Sequence, residues 1–255
     1  MTDQPYVTYD KAGHVVTITL NRPEKLNATT IDRHHELMDA FRRFESEPGA
    51  RLAVLRGAGR SFCAGRDLTA QAESGRSPTE GVADDVGPYG IPQIDKLLVT
   101  SCRGHAIGAG GYFALSGDVR VVSDTFRFSL AEVPTAVLGP YWIGEAENLP
   151  RTVAFRLAMG DSFSLEELKH WGLVTEVVPD ADLEAATQRW VDHLLALPYQ
   201  HALETKKLLR RVGFQYTRQM FAREYEVRAN LDSLADTREA AVAFTERRTP
   251  RFVGA

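Results

Sequence analysis

Apolar and polar positions alternate with a period of two from His14 to Leu20. Val16, Ile18 and Leu20 share one face, and the β-branched content predicts a strand. Asn21-Arg22-Pro23-Glu24 breaks it. Between Thr30 and Phe44 the period becomes helical, with Leu37, Met38, Phe41 and Phe44 on one stripe and charges between them. Pro48-Gly49 ends that helix. Leu52 to Leu55 is a short apolar run with the pattern of a buried strand, and a turn-rich stretch follows from Gly57 to Gly65. Leu97 to Cys102, Val119 to Val122, Phe126 to Leu130 and Val174 to Val178 read as further strands. Gly104 to Gly111 is a glycine-dense turn leading into a helix over Tyr112 to Gly117. Ser164 with Glu167 three residues on forms a capping box that opens a helix to Trp171. From Asp180 the pattern is helical almost to Thr249.

Strands interleaved with short helices predict an α/β class with parallel pairing. The helical tail must bury its apolar residues in its own core or against a neighbouring subunit. Thr69 to Gln93 breaks the alternation: it is rich in Gly, Ser, Asp and Pro and has no sustained period. A loop of that length is a functional lid or a disordered segment, with room for a short helix. No repeat of about 20–50 residues and no low-complexity tract is visible.

The chain has 255 residues, enough for one large domain or a domain with an appendage. Its net charge of −4 argues against nucleic acid as the main partner. Two cysteines, Cys63 and Cys102, are too few for a disulfide framework and fit a reducing compartment. Met1 to Pro5 lacks a basic-then-apolar leader pattern, and no apolar run approaches the ~20 residues of a membrane span. The expectation is a soluble, cytoplasmic protein.

Two segments carry candidate chemistry. Ser61-Phe62-Cys63-Ala64-Gly65-Arg66-Asp67-Leu68 follows a buried strand, and Gly104-His105-Ala106-Ile107-Gly108-Ala109-Gly110-Gly111 lies between a strand and a helix. Small residues let a ligand approach the main chain, and a helix start supplies N–H groups that favour negative charge. Two such turns on neighbouring strands would aim two N–H groups at one oxygen, an oxyanion hole. Each turn by itself is equally what close packing requires. A phosphate loop is the rival reading, but no Lys-Ser/Thr follows the glycines and the dinucleotide pattern fails.

Together the motifs are more specific. Leu20-Asn21-Arg22-Pro23-Glu24-Lys25-Leu26-Asn27-Ala28, then Phe62 to Leu68, then Gly104 to Asp118, resemble the sequential signatures of the crotonase superfamily, the enoyl-CoA hydratase/isomerase family. Ala243 to Phe252 resembles the family's C-terminal ending, so the likeness runs from about Val15 to Phe252. The resemblance implies a spiral core of ββα turns over residues 1–195 holding an acyl-CoA site. It implies a helical trimerisation region over 196–255, in a homotrimer or dimer of trimers. It implies an acyl-CoA thioester whose carbonyl sits between the N–H groups of Arg66 and Ala109, within a turn that includes Gly108 and Gly110. It implies that Leu26, Ala28 and Ala64 line the CoA channel and that Lys25 contacts a phosphate. No separate cofactor is implied, because CoA belongs to the substrate.

The acid and base residues then select the reaction. Family hydratases carry one glutamate on the helix after the glycine turn and a second about twenty residues later. This chain has Tyr112, beside Phe113, at the first position and Glu132 at the second. Syn addition of water needs two groups, whereas moving a double bond from C3 to C2 needs one base that takes a proton from C2 and returns it at C4. Leu138-Gly139-Pro140-Tyr141-Trp142 resembles a stretch of Δ3,Δ2-enoyl-CoA isomerases, which also keep only the second glutamate. Glu132 is therefore the expected base, with its pKa raised by an apolar pocket. Tyr112 donates a hydrogen bond or lines the acyl pocket with Tyr141 and Trp142. The alternatives are a hydratase, another crotonase reaction such as decarboxylation or thioester hydrolysis, or a relative that binds acyl-CoA or RNA without turnover.

Other residues read as support. Asp67 is a substrate-side candidate or holds a loop or cap, and Asp118 resembles a structural aspartate of the family. Glu145 and Glu147 read as surface acids, with Glu145 the better spare. His34-His35 reads as solvated, and His105 as packing for the turn. The histidines are too scattered for a metal site. Cys63 has no paired base. Glu204 to Arg211 is a basic face on which Lys206 and Lys207 are candidates for CoA phosphates.

Overall fold

The computed structural model describes residues 5–74, 87–213 and 218–253. It opens on a hairpin that the pattern did not announce: β1 (Val7–Ala12) runs antiparallel to β2 (Val15–Leu20), with Gly13 in the left-handed region at the turn. β1 is half-buried to exposed, so it lacks the alternation that marks β2. Helix α1 (Ile31–Ser46) starts at Thr30, whose side chain accepts from the Arg33 N–H, and it buries Leu37, Met38, Phe41 and Phe44 completely.

β3 (Leu52–Gly57), the short α2 (Leu68–Ser74), β4 (Leu97–Cys102), β5 (His105–Ile107), α3 (Ala109–Leu115), β6 (Val119–Ser123) and β7 (Arg127–Ser129) follow. Then come α4 (Ile143–Ala146), α5 (Arg151–Ala158), α6 (Leu165–His170), β8 (Glu176–Val178) and the helices α7 (Leu183–Ala196), α8 (Tyr199–Val212), α9 (Arg218–Asp232) and α10 (Ala235–Thr245). The expected capping box of Ser164 and Glu167 opens α6. α4 and α5 were not anticipated, and the expected loop from Thr69 holds α2; residues 75–86 of it lie outside the described residues.

The main sheet has the order β1-β2-β3-β4-β6-β8, with every pair after the first parallel. A second, smaller sheet pairs β5 with β7 in parallel, and a parallel bridge between Cys63 and Ala106 adds the segment after β3 to it. The chain thus repeats one move. A long strand in the main sheet, β3, β4 or β6, gives way to a short one in the second sheet, and the next turn stacks beside it. This is the expected spiral, and it repeats in backbone geometry although no sequence repeat marks it. Both faces of the main sheet are covered, which explains the unbroken apolar runs. Ala53, Leu55 and Leu98 pack toward α1, α3 and the small sheet. Leu52, Val54, Leu97, Val99, Val119 and Val121 pack with Leu183, Ala186 and Val191 of α7. The architecture is the expected α/β class, a mixed sheet with a helical C-terminal region.

Candidate active site

The first turn of the site is held by a residue that spacing did not single out. Asn27 is fully buried, with φ +58 in the left-handed region that Asn tolerates. Its Nδ2 donates to the carbonyls of Ala58, Ser61 and Phe62 at 2.9, 2.8 and 3.0 Å, and its Oδ1 accepts the Arg22 N–H at 2.8 Å. The loop after β2 is thereby latched to the turn after β3. The Ala64 N–H donates to Leu26 O at 2.9 Å, so Leu26 also braces the turn. Lys25 is exposed on the short helical turn Pro23–Lys25, and the carbonyl of Ala28 accepts from the Arg22 guanidinium.

The second turn lies directly against the first. Cys63 and the β5 backbone exchange hydrogen bonds, Cys63 N–H to His105 O at 2.8 Å and Ile107 N–H to Cys63 O at 3.1 Å. A Cβ on Gly65 would lie 2.5 Å from Ile107 O, and one on Gly110 would strike Cys63 O. Glycine at both places is what permits this contact. The parallel bridge from Thr29 to Arg66 uses the flanking peptides: Thr29 N–H donates to Gly65 O and Asp67 N–H donates to Thr29 O, both at 2.8 Å. In that geometry the peptide groups of Arg66 itself face the other side. Ala109 is the first residue of α3 and precedes the first hydrogen bonds of the helix, which run from the N–H groups of Gly111 and Tyr112 to Gly108 O. Arg66 and Ala109 line one cavity of about 190 Å³, together with Ala64, Gly65, Gly108, Tyr112 and Glu132.

Glu132 enters this cavity from the bend after β7. Its backbone carbonyl accepts the N–H groups of Thr135 and Val137, which fixes the bend. Its carboxyl faces Gly108: a Cβ there would lie 3.3 Å from Oε1. Oε2 is buried without a hydrogen-bond partner among the described residues. Burial raises the Glu132 pKa above the ordinary carboxylate value, opposed by the Tyr112 hydroxyl and by the charges of Arg228 and Arg66. The direction agrees with the expectation, but the pocket is not simply apolar. Arg66 and Arg228 of α9 both line it, and the Arg66 guanidinium feels the charge of Glu132. Among the described residues lining the cavity, Glu132 is the one carboxylate.

Several expected contacts fall elsewhere. Tyr112 lines the cavity, but Trp142 stands behind it, stacked at 6.2 Å between ring centres and donating to Pro88 O at 2.9 Å. Tyr141 is half exposed and packs edge-on against Trp142 rather than on the cavity wall. Asp67 pairs with Arg22 at 2.8 Å and accepts the Ala70 N–H, which is the expected loop-and-cap use. Asp118 accepts the Leu98 N–H and Lys206, a structural use. Lys206 Nζ also donates to Lys96 O, and Lys207 pairs with Glu204 and lies 3.8 Å from Asp95, so both candidate phosphate lysines have partners within the chain. Glu147 is not a surface acid: it is a buried partner of Arg120 and accepts from Tyr89. Glu145 is exposed. His34 is not solvated either, because its Nε2 meets Gly90 O at 2.5 Å and its ring packs on Phe113. His105 sits 3.2 Å from Ser61 Oγ and supports the turn. Burial pushes the Cys63 thiol up to about 12, which keeps it from acting as a nucleophile.

Comparison with known proteins shows the family. The family model described as enoyl-CoA hydratase/isomerase matches residues 10–255, and the chain belongs to that family. It is 28% identical over 254 residues to the 1,2-epoxyphenylacetyl-CoA isomerase of Escherichia coli strain K12, covering 94% of this chain and 95% of that protein. It is 31% identical over 267 residues to the (E)-benzylidenesuccinyl-CoA hydratase of Thauera aromatica, covering 98% and 99%. The solved carnitinyl-CoA hydratase from Mycobacterium avium superposes with a TM-score of 0.86 at 26% identity, over 99% of this chain and all of that one. This is an acyl-CoA enzyme of a family that holds both hydratases and isomerases.

Proposed function

We propose that the protein isomerises a 3-enoyl-CoA to the 2-enoyl-CoA with Glu132 as its single base. The observation that carries the reading is that Glu132 is the one carboxylate among the described residues of the cavity wall, with a tyrosine where a second acid would stand. The thioester carbonyl accepts the N–H groups of Arg66 and Ala109. Glu132 removes a proton from C2, the electron pair spreads over the dienolate to the thioester oxygen, and the two N–H groups stabilise that charge. The protonated Glu132 returns the proton at C4, leaving the double bond between C2 and C3. The unsatisfied Oε2 and the raised pKa suit a group that alternates between base and acid.

A second reading is hydration of a 2-enoyl-CoA, favoured by the hydratase names among the relatives. Glu132 would then activate water with Tyr112 as its partner. Purified protein offered matched 3-enoyl- and 2-enoyl-CoA separates the two by mass and absorbance. Turnover of the 3-enoyl ester without gain of water, reduced about 10²–10⁴-fold in Glu132→Gln, is expected. Retained activity in that variant would remove the assigned role, and faster hydration than isomerisation would favour the second reading.

A further inference from the structure

Tyr112 shares the cavity wall with Glu132, but its own helix gives its ring little to lean on. Side chains of an α-helix lie over the residues three and four places earlier, and for Tyr112 those are Ala109 and Gly108. One methyl group is all that α3 offers there. The support comes from elsewhere in the chain. The Trp142 ring is buried and stacks on Tyr112, with 6.2 Å between centres and 22° between planes. Its Nε1 donates to Pro88 O at 2.9 Å, which fixes the orientation of the indole. The segment carrying Pro88 also closes on the root of Tyr112: a Cβ on Gly90 would lie 3.8 Å from Tyr112 Cβ and 3.0 Å from the Phe113 ring. The Tyr89 hydroxyl on Glu147 and His34 on Gly90 O anchor that segment in turn.

The direction of the phenol matters to the reacting carboxyl. Burial is the largest influence on Glu132 and raises its pKa; the Tyr112 hydroxyl is the next and favours the ionised form, as do the Glu132 peptide, Arg228 and Arg66. An O–H stabilises a carboxylate only over a limited range of directions, so a ring free to turn into the cavity would lose that effect. We propose that Trp142 is a positioning residue that, without lining the cavity itself, keeps the Tyr112 hydroxyl turned toward the Glu132 carboxyl. Trp142 stands behind Tyr112 and outside the cavity wall, so a change there reaches Glu132 through Tyr112. The inference rests on reading Glu132 as the reacting carboxyl of the site.

Titration of the Glu132 carboxyl tests the inference independently of turnover. Difference infrared spectroscopy of the full chain follows the protonated carboxyl band that Glu132→Gln removes. Tyr112→Phe should raise the titration midpoint by about one pH unit. Trp142→Leu should raise it by at least about 0.3 unit. In the Tyr112→Phe background the same change at Trp142 should move it by less than about 0.1 unit, because the group it positions is gone. Trp142→Phe keeps a ring but loses the N–H on Pro88 O, and its midpoint should fall between wild type and Trp142→Leu. Thermal melting reports that each variant is folded, and where Trp142→Leu is not, Trp142→Phe carries the same comparison. An unmoved midpoint in a folded Trp142 variant would overturn the inference. So would an equal shift with and without the Tyr112 hydroxyl, the mark of a general loosening. Midpoints that behave as expected in a protein whose Glu132→Gln variant keeps its turnover would retain the positioning while sinking the role of Glu132 as base.

Discussion

Glu132 shows how one carboxylate acquires a working pKa from its surroundings. Burial raises it; Tyr112, Arg228 and Arg66 pull it back. A base must be ionised, so the acid limb of the rate profile should lie above the ordinary glutamate value of about 4.3. Arg228→Gln removes a positive charge that favours the ionised form, so that limb should move to higher pH; an unmoved limb would deny the coupling. The same shift bears on stability. A carboxyl raised in the folded state contributes stability below its unfolded pKa and loses it as pH rises through the folded value. Glu132→Gln should therefore melt higher than wild type at neutral pH, with the gain fading toward about pH 4. Asn27 carries a structural load of a different kind. Asn27→Ala leaves three carbonyls and one N–H without their buried partner and should destabilise the fold by about 3 kcal/mol, measured by denaturant unfolding. Its residue type was visible within the Leu20–Ala28 motif, but its partners follow β3 and are set only by folding.

Among elements, the segment from Gly87 to Ile91 is held from three sides. Trp142 donates to Pro88 O, the Tyr89 hydroxyl donates to Glu147, and His34 meets Gly90 O. Glu147 in turn forms a two-pronged pair with Arg120 of β6, at 2.6 and 2.8 Å, with both side chains almost out of solvent. Removing one partner of a buried pair strands the other charge. Glu147→Ala should cost about 3–5 kcal/mol, while Glu147→Gln, which keeps the shape and one acceptor, should cost less. Equal stability of Glu147→Ala and wild type would show that the pair is dispensable. The sequence reading placed Glu147 at the surface because a charge after Trp142 carries no mark of its partner on β6. The strands of the main sheet were legible because burial on both faces leaves an unbroken apolar run; β1 was not, because its residues are only partly covered.

For the whole molecule, the C-terminal helices expose a row of large apolar side chains. Leu208, Leu209 and Val212 of α8 are 56%, 66% and 84% exposed in the single chain, and Phe244 of α10 is half exposed. Such faces are characteristic of subunit contacts. We propose that they close a trimer, or a dimer of trimers, and light scattering should give a native mass of three or six chains. A monomer at micromolar concentration would remove that reading.

The chain's order of residues by itself determined the α/β class, the buried strands, α1, the capping box of α6 and the motif positions of Arg66, Ala109 and Glu132. Each of these is a local signal: periodicity, a cap, a turn, or a short run of spaced residue types. Only the tertiary structure decided what surrounds them. It brought Arg228 from α9 to Arg66 and Glu132, turned Glu147 inward to Arg120, tied Lys206 to Asp118, and moved Trp142 behind Tyr112. Charge, burial and contact between distant residues arise from packing, and no local pattern encodes the neighbour that a side chain will meet.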